Sequence, residues 1–316
     1  MNSRERVLET LAHREPDRVP HNLRPSAGMI ERLQQEQGNP DVDFSDVFGH
    51  DIRYVAMPRH RCPEAASEYE WLPRPTVAEI DRARQQVRTL QGRGLAVCGA
   101  YACGVFEQAK HWFGDSETLT MPYDDPVRLE RELDRIAEWK MGVYGAYVHA
   151  GVDIVWIGDD LGMQENLIMS PEQYRQWYRP RHLRIVEHLR GIRSDVHVAF
   201  HCCGYVTTLI PDLIEIGVDI LEAVQAESMD IGQLKREFGR DLSFWGAVGA
   251  QSVLARATPE QVIDGVRKTL SFMAPGGGYI AAPCHGLTEE VPWESVLAFH
   301  DAVQRFGAYP FPMSCP

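Results

Sequence analysis

Two short stretches of this sequence carry the residues that soft metals prefer. His201-Cys202-Cys203-Gly204 closes one apolar run, and Pro283-Cys284-His285 closes another. Side chains of an extended strand alternate faces, so His201 and Cys203 point one way and Cys202 the other. Cys284 completes a His/Cys/Cys set if both runs end at one place. Zinc favours imidazole and thiolate, and three protein ligands with a fourth position open is the arrangement of a catalytic zinc rather than a structural one. The expected metal ligands are therefore His201, Cys203 and Cys284. Taken singly, each cysteine also fits plain packing, because free cysteine is among the most buried residue types. Cys202 is expected in the core, and His285 has the opposite parity to Cys284.

Such ligands need elements that bring them together. From about residue 95 onward, apolar runs of strand length alternate with helical patterns. The strand candidates are 95–101, 152–157, 196–200, 218–222, 242–246 and 279–283. They are apolar throughout, as strands buried on both faces of a parallel sheet should be. Ser170-Pro171-Glu172-Gln173 and Thr258-Pro259-Glu260-Gln261 each read as a capping box with proline at the first helical position. Leu129, Leu133 and Ile136 form the apolar stripe of another helix. Six βα units are readable, and 18–23 and 51–57 are poorer candidates for two more strands. An open doubly wound sheet would usually carry a glycine-rich phosphate loop, and no G-x-G-x-x-G or G-x-x-x-x-G-K-[ST] occurs. The expectation is a single α/β unit over residues 1–316, a (β/α)8 TIM barrel with an N-terminal extension or cap. Residues 60–92, rich in proline, arginine and glutamate, read as an excursion over one end.

Barrel active sites sit at the C-terminal ends of the strands, where the remaining candidates also fall. Gly158-Asp159-Asp160 places two carboxylates on that rim. Asp160 is the expected catalytic member, while Asp159 fits a loop acceptor of backbone N–H groups. Glu222, a second catalytic candidate, is open to three readings: a fourth metal ligand, a partner behind His201, or a surface charge. Tyr101, Phe106, Trp156 and Gln164 are candidate substrate-binding residues, with core packing the alternative for the aromatic ones.

The composition limits the partners. A formal charge of −13 disfavours nucleic acid, whose phosphates must be met by clustered lysine and arginine. No apolar run approaches the roughly 20 residues of a membrane span, and the first residues run straight into an amphipathic pattern rather than a signal peptide. A cytoplasmic protein is expected, and its seven scattered cysteines fit reduced thiols better than a disulfide framework. The barrel's outer helices would be an ordinary place for a homo-oligomer interface.

The same residues carry a family resemblance. The chain resembles the uroporphyrinogen decarboxylase superfamily, and within it the corrinoid-dependent methyltransferase branch that includes the methylcobamide:coenzyme M methyltransferases. The likeness runs through Arg14-Glu15-Pro16-Asp17-Arg18-Val19-Pro20, Gly158-Asp159-Asp160-Leu161-Gly162, His201-Cys202-Cys203-Gly204, Ile210-Pro211-Asp212-Leu213-Ile214 and Gly276-Gly277-Gly278-Tyr279. It implies a (β/α)8 barrel, and zinc on the residues that match the branch's ligands, His201, Cys203 and Cys284. It further implies methyl transfer between a small methylated substrate or thiol and the cobalt of a corrinoid (methylcobalamin). This chain lacks a D-x-H-x-x-G cobalt-ligating segment, so the corrinoid is expected on a separate partner protein. The founding decarboxylase has an arginine-rich N-terminal stretch for its tetrapyrrole carboxylates; here that stretch reads His21-Asn22-Leu23-Arg24-Pro25-Ser26-Ala27-Gly28. A metal-independent decarboxylase is the alternative.

Overall fold

In the computed structural model, which describes residues 1–58, 74–100 and 103–311, seven parallel strands follow one another around a centre. They are β1 (Ile52–Val55), β2 (Ala96–Ala100), β3 (Ile154–Gly158), β4 (His197–His201), β5 (Ile220–Ala223), β6 (Ser243–Val248) and β7 (Tyr279–Pro283). All six runs read from residue 95 onward are strands, and the weaker candidate at 51–57 is β1. The other weak candidate closes the ring. His21 bridges Ala281 of β7 in parallel. Ala281 donates its N–H to Pro20 at 2.8 Å, Asn22 donates to Ala281 at 3.0 Å, and Asp51 beside β1 donates to His21 at 3.1 Å. The chain is an α/β barrel of the TIM type whose eighth strand is reduced to one bridge. Pro20 has no N–H to give, so this segment cannot carry a full ladder.

Strand parity sorts the side chains. Cys98, Trp156, Ala199, Ile220, Trp245 and Ile280 meet inside the ring, with Val7 and Leu11 of the helix Ser3–Leu11. The intervening Val97, Val155, Phe200, Leu221 and Phe244 face outward and join the core beneath the helices. Both faces are apolar, so each strand reads as an unbroken hydrophobic run. His201 shares the parity of Ala199, and Glu222 that of Ile220. Both side chains are therefore inward-facing groups at the C-terminal end of the ring.

The helices form where their boundary signals stand. Ser170 and Thr258 each accept the N–H of the glutamine three residues on, and each glutamine side chain bonds back to the cap. Leu129, Leu133 and Ile136 are fully buried on the helix Pro126–Ala150. The stretch 60–92 departs from expectation. Val77–Gly92 is a regular helix opened by a Thr76 capping box, and its Ala83 and Val87 are buried in the barrel's outer layer. Its apolar stripe is thin among charged residues, which hid it. Residues 59–73 lie outside the described residues. The cover over the mouth comes from earlier in the chain, where Arg24, Pro25 and Ser26 border the central cleft. Among the described residues, no helix is long and apolar enough to cross a membrane.

Candidate metal centre

Sheet register brings the chemistry to one level. Gly158 pairs with His201, His201 with Glu222, and Glu222 with Trp245. His201 and Glu222 are neighbours with the same inward parity, so Nδ1 of the imidazole is hydrogen-bonded to a Glu222 carboxylate oxygen. The ring's other nitrogen, Nε2, has Cys203 Sγ and Asp160 Oδ1 each at 3.5 Å. One ligand atom from each of Asp160, His201 and Cys203 lies within 4.8 Å of the other two. A carboxylate behind an imidazole is the outer-shell arrangement of metal-binding histidines, where it fixes ring orientation and raises basicity. Of the three sequence readings of Glu222, its geometry is that of a partner behind His201.

Burial works against a proton on His201, but the Glu222 charge and the hydrogen bonds from Cys203 and Glu222 outweigh it. Its pKa lies well above the usual imidazole range. Burial also opposes ionisation of Glu222, and the charges of His201 and Arg24 overcome that, holding it below the usual carboxylate range. A divalent cation at Nε2 would take the place of the imidazolium proton. Glu222→Gln is expected to weaken metal affinity about 10- to 100-fold, measured by competition with a chromophoric chelator. Unchanged affinity would show that His201 needs no carboxylate behind it.

Two loops make this possible by lying backbone on backbone. A Cβ on Gly158 (φ +155°) would stand 2.3 Å from the carbonyl oxygen of His201, and one on Gly204 (φ +75°) would stand 2.5 Å from that of Met163. Asp159 donates its N–H to His201 at 3.0 Å, Tyr205 to Met163 at 2.7 Å, and Cys203 to Asp160 Oδ1 at 2.8 Å. The Gly-Asp-Asp-Leu-Gly and His-Cys-Cys-Gly segments thus form one surface. Gly158→Ala is expected to cost about 1–3 kcal/mol by overpacking and to displace His201. A lowered melting temperature together with weakened metal binding would be its signature; wild-type values for both would contradict the close approach.

Asp159 and Asp160 divide the work. Asp159 is fully buried and accepts N–H bonds from Val105, Phe106 and Glu107 at 2.8, 3.0 and 2.8 Å, and it pairs with His182 Nε2 at 2.8 Å. It caps the helix Val105–Phe113, whose own N-cap position is Gly104, with no side chain to do so. Asp160 is partly exposed and turns its Oδ1 toward His201 Nε2.

The other expected residues are dispersed. Cys284 stands outside the compact group of Asp160, His201 and Cys203. Its Sγ accepts the N–H of Ala250 at 3.2 Å and donates to Glu227 Oε2 at 3.4 Å. Burial, and then the charge of Glu227, push its thiol up to about 12, with Cys203 among the groups it senses. Cys202 is fully buried and accepts the Leu161 N–H at 3.3 Å, a core position as expected. Trp156 sits inside the ring, edge-on to His201 at 5.3 Å. Gln164 is on the exposed rim and accepts from Ser228 Oγ at 3.1 Å. Phe106 is fully buried and packs against Tyr178 at 5.3 Å. It faces the helical layer and offers no surface to a ligand. Tyr101 lies outside the described residues.

Three residues escaped the sequence reading. The Arg24 guanidinium lies 4.6 Å from the Trp156 ring centroid and 3.1 Å from Glu222. Glu227 lies against Cys284. Glu107 follows the capped turn on Asp159. None carried a local signal, since each matters only through a neighbour on a different strand end. The cleft bounded by Arg24, Trp156, His201 and the loop 285–290 has a volume of about 750 Å³.

Comparison with known proteins follows the same lines. The family model described as Uroporphyrinogen decarboxylase (URO-D) matches residues 100–306. The chain is 25% identical over 180 residues to a methylcobamide:CoM methyltransferase MtaA of Methanosarcina barkeri, covering 57% of this chain and 50% of that protein. It is 24% identical over 192 residues to a uroporphyrinogen decarboxylase of Magnetococcus marinus, covering 59% and 51%. The chain thus spans about half the length of the curated relatives it matches. Among solved structures, a methyltransferase from Methanosarcina mazei superposes with a TM-score of 0.73 at 20% identity, covering 97% of this chain and 99% of that one. That likeness is one of fold.

Proposed function

The chain belongs to the uroporphyrinogen decarboxylase (URO-D) family, and from that premise we propose that it is a zinc-dependent methyltransferase. It moves a methyl group between a small methylated substrate or thiol and the cobalt of a corrinoid carried by a separate protein. The observation that carries this reading is the convergence of His201 Nε2, Cys203 Sγ and Asp160 Oδ1 at one strand-end level, with Glu222 behind the imidazole. Imidazole and thiolate are a donor set that zinc favours.

His201, Cys203 and Cys284 would hold the zinc, with Asp160 beside the remaining position. When bound, zinc supplies Lewis acidity that stabilises a thiolate or polarises a methylated heteroatom at neutral pH. The chain's own residues do the rest. Glu222 keeps Nδ1 occupied so that Nε2 faces the cleft. Asp160 accepts the Cys203 N–H and keeps that loop in register. Trp156, covered on one face by Arg24, supplies an apolar wall that limits water near the methyl group.

The decarboxylase alternative fits the cleft less well. A substrate with many carboxylates needs many cations, and the cleft lining offers Arg24, already paired with Glu222, together with the carboxylates Glu289 and Glu290. Elemental analysis of protein purified without chelators tests the proposal. About one zinc per chain is expected, as for a single mononuclear site. No metal would move the decarboxylase to first place.

A further inference from the structure

We propose that Glu227 is the positioning residue for Cys284: it organises the turn whose backbone N–H holds the Cys284 sulfur at the end of the ring. The inference rests on the methyl-transfer reading, in which Cys284 is the third zinc ligand, and names the group that makes that ligand available.

Cys284 needs such a group because its own backbone fixes only part of its geometry. It lies one residue past β7 and has the inward parity of Ile280 and Ala282. Its N–H donates to the Val248 carbonyl at the end of β6 at 2.9 Å, which places the Cβ. The sulfur still has three staggered positions open to it, and two contacts select one of them. Ala250 donates its N–H to Sγ at 3.2 Å, and Sγ donates to Glu227 Oε2 at 3.4 Å.

Both contacts trace back to one carboxylate. Glu227 follows β5, and its Oε1 accepts the N–H of Gln251 at 3.1 Å, the N–H of Ser252 at 3.0 Å and the Ser252 hydroxyl at 2.8 Å. These donors belong to the wide turn Ala250–Leu254 after β6. The first N–H groups of such a turn have no partner within it; here the N–H of Ala250 goes to the sulfur and the next two go to Glu227. Turns of this width are rare and recur at functional sites. Gly249 leaves room for the arrangement, since a Cβ there would stand 2.4 Å from Ser252 Oγ and 2.8 Å from Glu227 Oε1. Glu227 therefore ties the ends of β5, β6 and β7 together.

The partners of Glu227 point to placement rather than charge pairing. Among the described residues it forms no ion pair, and every donor it takes is an N–H, O–H or S–H of a neighbouring strand end. Hydrogen bonds to an ionised carboxylate are shorter and stronger than neutral ones, so three of them on Oε1 fix the turn. A hydrogen bond that orients a metal ligand from outside is as much a part of a metal site as the ligand itself. When a metal takes the place of the thiol proton, the Ala250 N–H stays on the sulfur, and the bonds to Oε1 keep the turn that presents it.

Cobalt(II) is the probe, because sulfur-to-metal charge transfer makes its thiolate ligands visible. The full-length chain is compared as wild type, Glu227→Ala, Glu227→Gln and, for reference, Cys284→Ser. Glu227→Ala should bind cobalt(II) about 10- to 100-fold more weakly in competition with a chelator, and at saturation it should show the reduced charge-transfer band of Cys284→Ser. Glu227→Gln should recover most of both, because its carbonyl oxygen still accepts from the turn and its amide nitrogen has N–H groups to offer the sulfur. A loss in Glu227→Gln as large as in Glu227→Ala overturns the proposal, since the charge and not the turn would then matter. So does a Glu227→Ala chain that melts lower yet carries the full wild-type band once loaded, the signature of a merely structural contact. A wild-type chain that binds no cobalt(II) overturns the metal reading itself, and a Cys284→Ser band equal to that of wild type removes Cys284 from the ligand set; either result takes this inference with it.

Discussion

Asp159→Ala is expected to lose about 3–5 kcal/mol of folding stability, whereas the same change at the adjacent Asp160 should cost less than about 1 kcal/mol. The asymmetry follows from what each carboxylate touches. Removing Asp159 strips the acceptor from three backbone N–H groups at the start of the helix Val105–Phe113 and from His182, all in a buried setting. Each buried donor left unpaired costs about 1–3 kcal/mol, and relaxation recovers part of that sum. Asp160 is partly exposed, and its polar contacts are the Cys203 N–H and the more distant His201. Urea unfolding of the two single variants measures the difference directly. Equal losses would mean that the first turn of the helix finds a substitute cap and that Asp159 contributes little.

The largest functional effect is expected from the proposed metal ligands. A His201→Ala/Cys203→Ser/Cys284→Ser variant should retain no stoichiometric zinc, yet its melting temperature should stay close to that of wild type stripped of metal. The ring interior and the outer core beneath the helices are complete without these side chains. A domain that owes its fold to zinc would instead unfold when the metal is removed. If the variant and the stripped wild type both unfold, the site is structural and the methyl-transfer mechanism fails. The single variants Asp160→Asn and Cys284→Ser then decide which residue completes the ligand set. The larger loss is expected from Cys284→Ser, the proposed third ligand; a larger loss from Asp160→Asn would give that position to the residue nearer His201 and Cys203.

Much of this was legible beforehand because barrel strands buried on both faces announce themselves as short apolar runs between capped helices. The proximity of His201 and Cys203 was legible because strand parity needs no tertiary information. What escaped depended on register between strands that are distant in sequence. Glu222 pairs with His201 only because β4 and β5 align those residues side by side. Arg24 reaches the centre only because the segment before β1 is drawn across the mouth. Phe106 misled for a related reason: a residue just past a strand end was read as facing the rim, but the turn of helix that Asp159 caps directs its ring into the outer layer. The helix Val77–Gly92 was hidden by its own charged surface, since its buried side is as narrow as Ala83 and Val87.

The single bridge that closes the ring has a consequence for how the molecule is made. His21 emerges from the ribosome long before its partner Ala281, so the growing chain must hold the segment 20–22 without its β7 neighbour until residue 281 has been synthesised. During that interval the sheet has an open edge able to recruit strands from other nascent chains. A proline at the joint and an arginine-rich, ion-paired flank around Asp51 are features that discourage such recruitment. The weakest seam of the finished barrel is therefore also the one that stays unsealed longest while the chain is born.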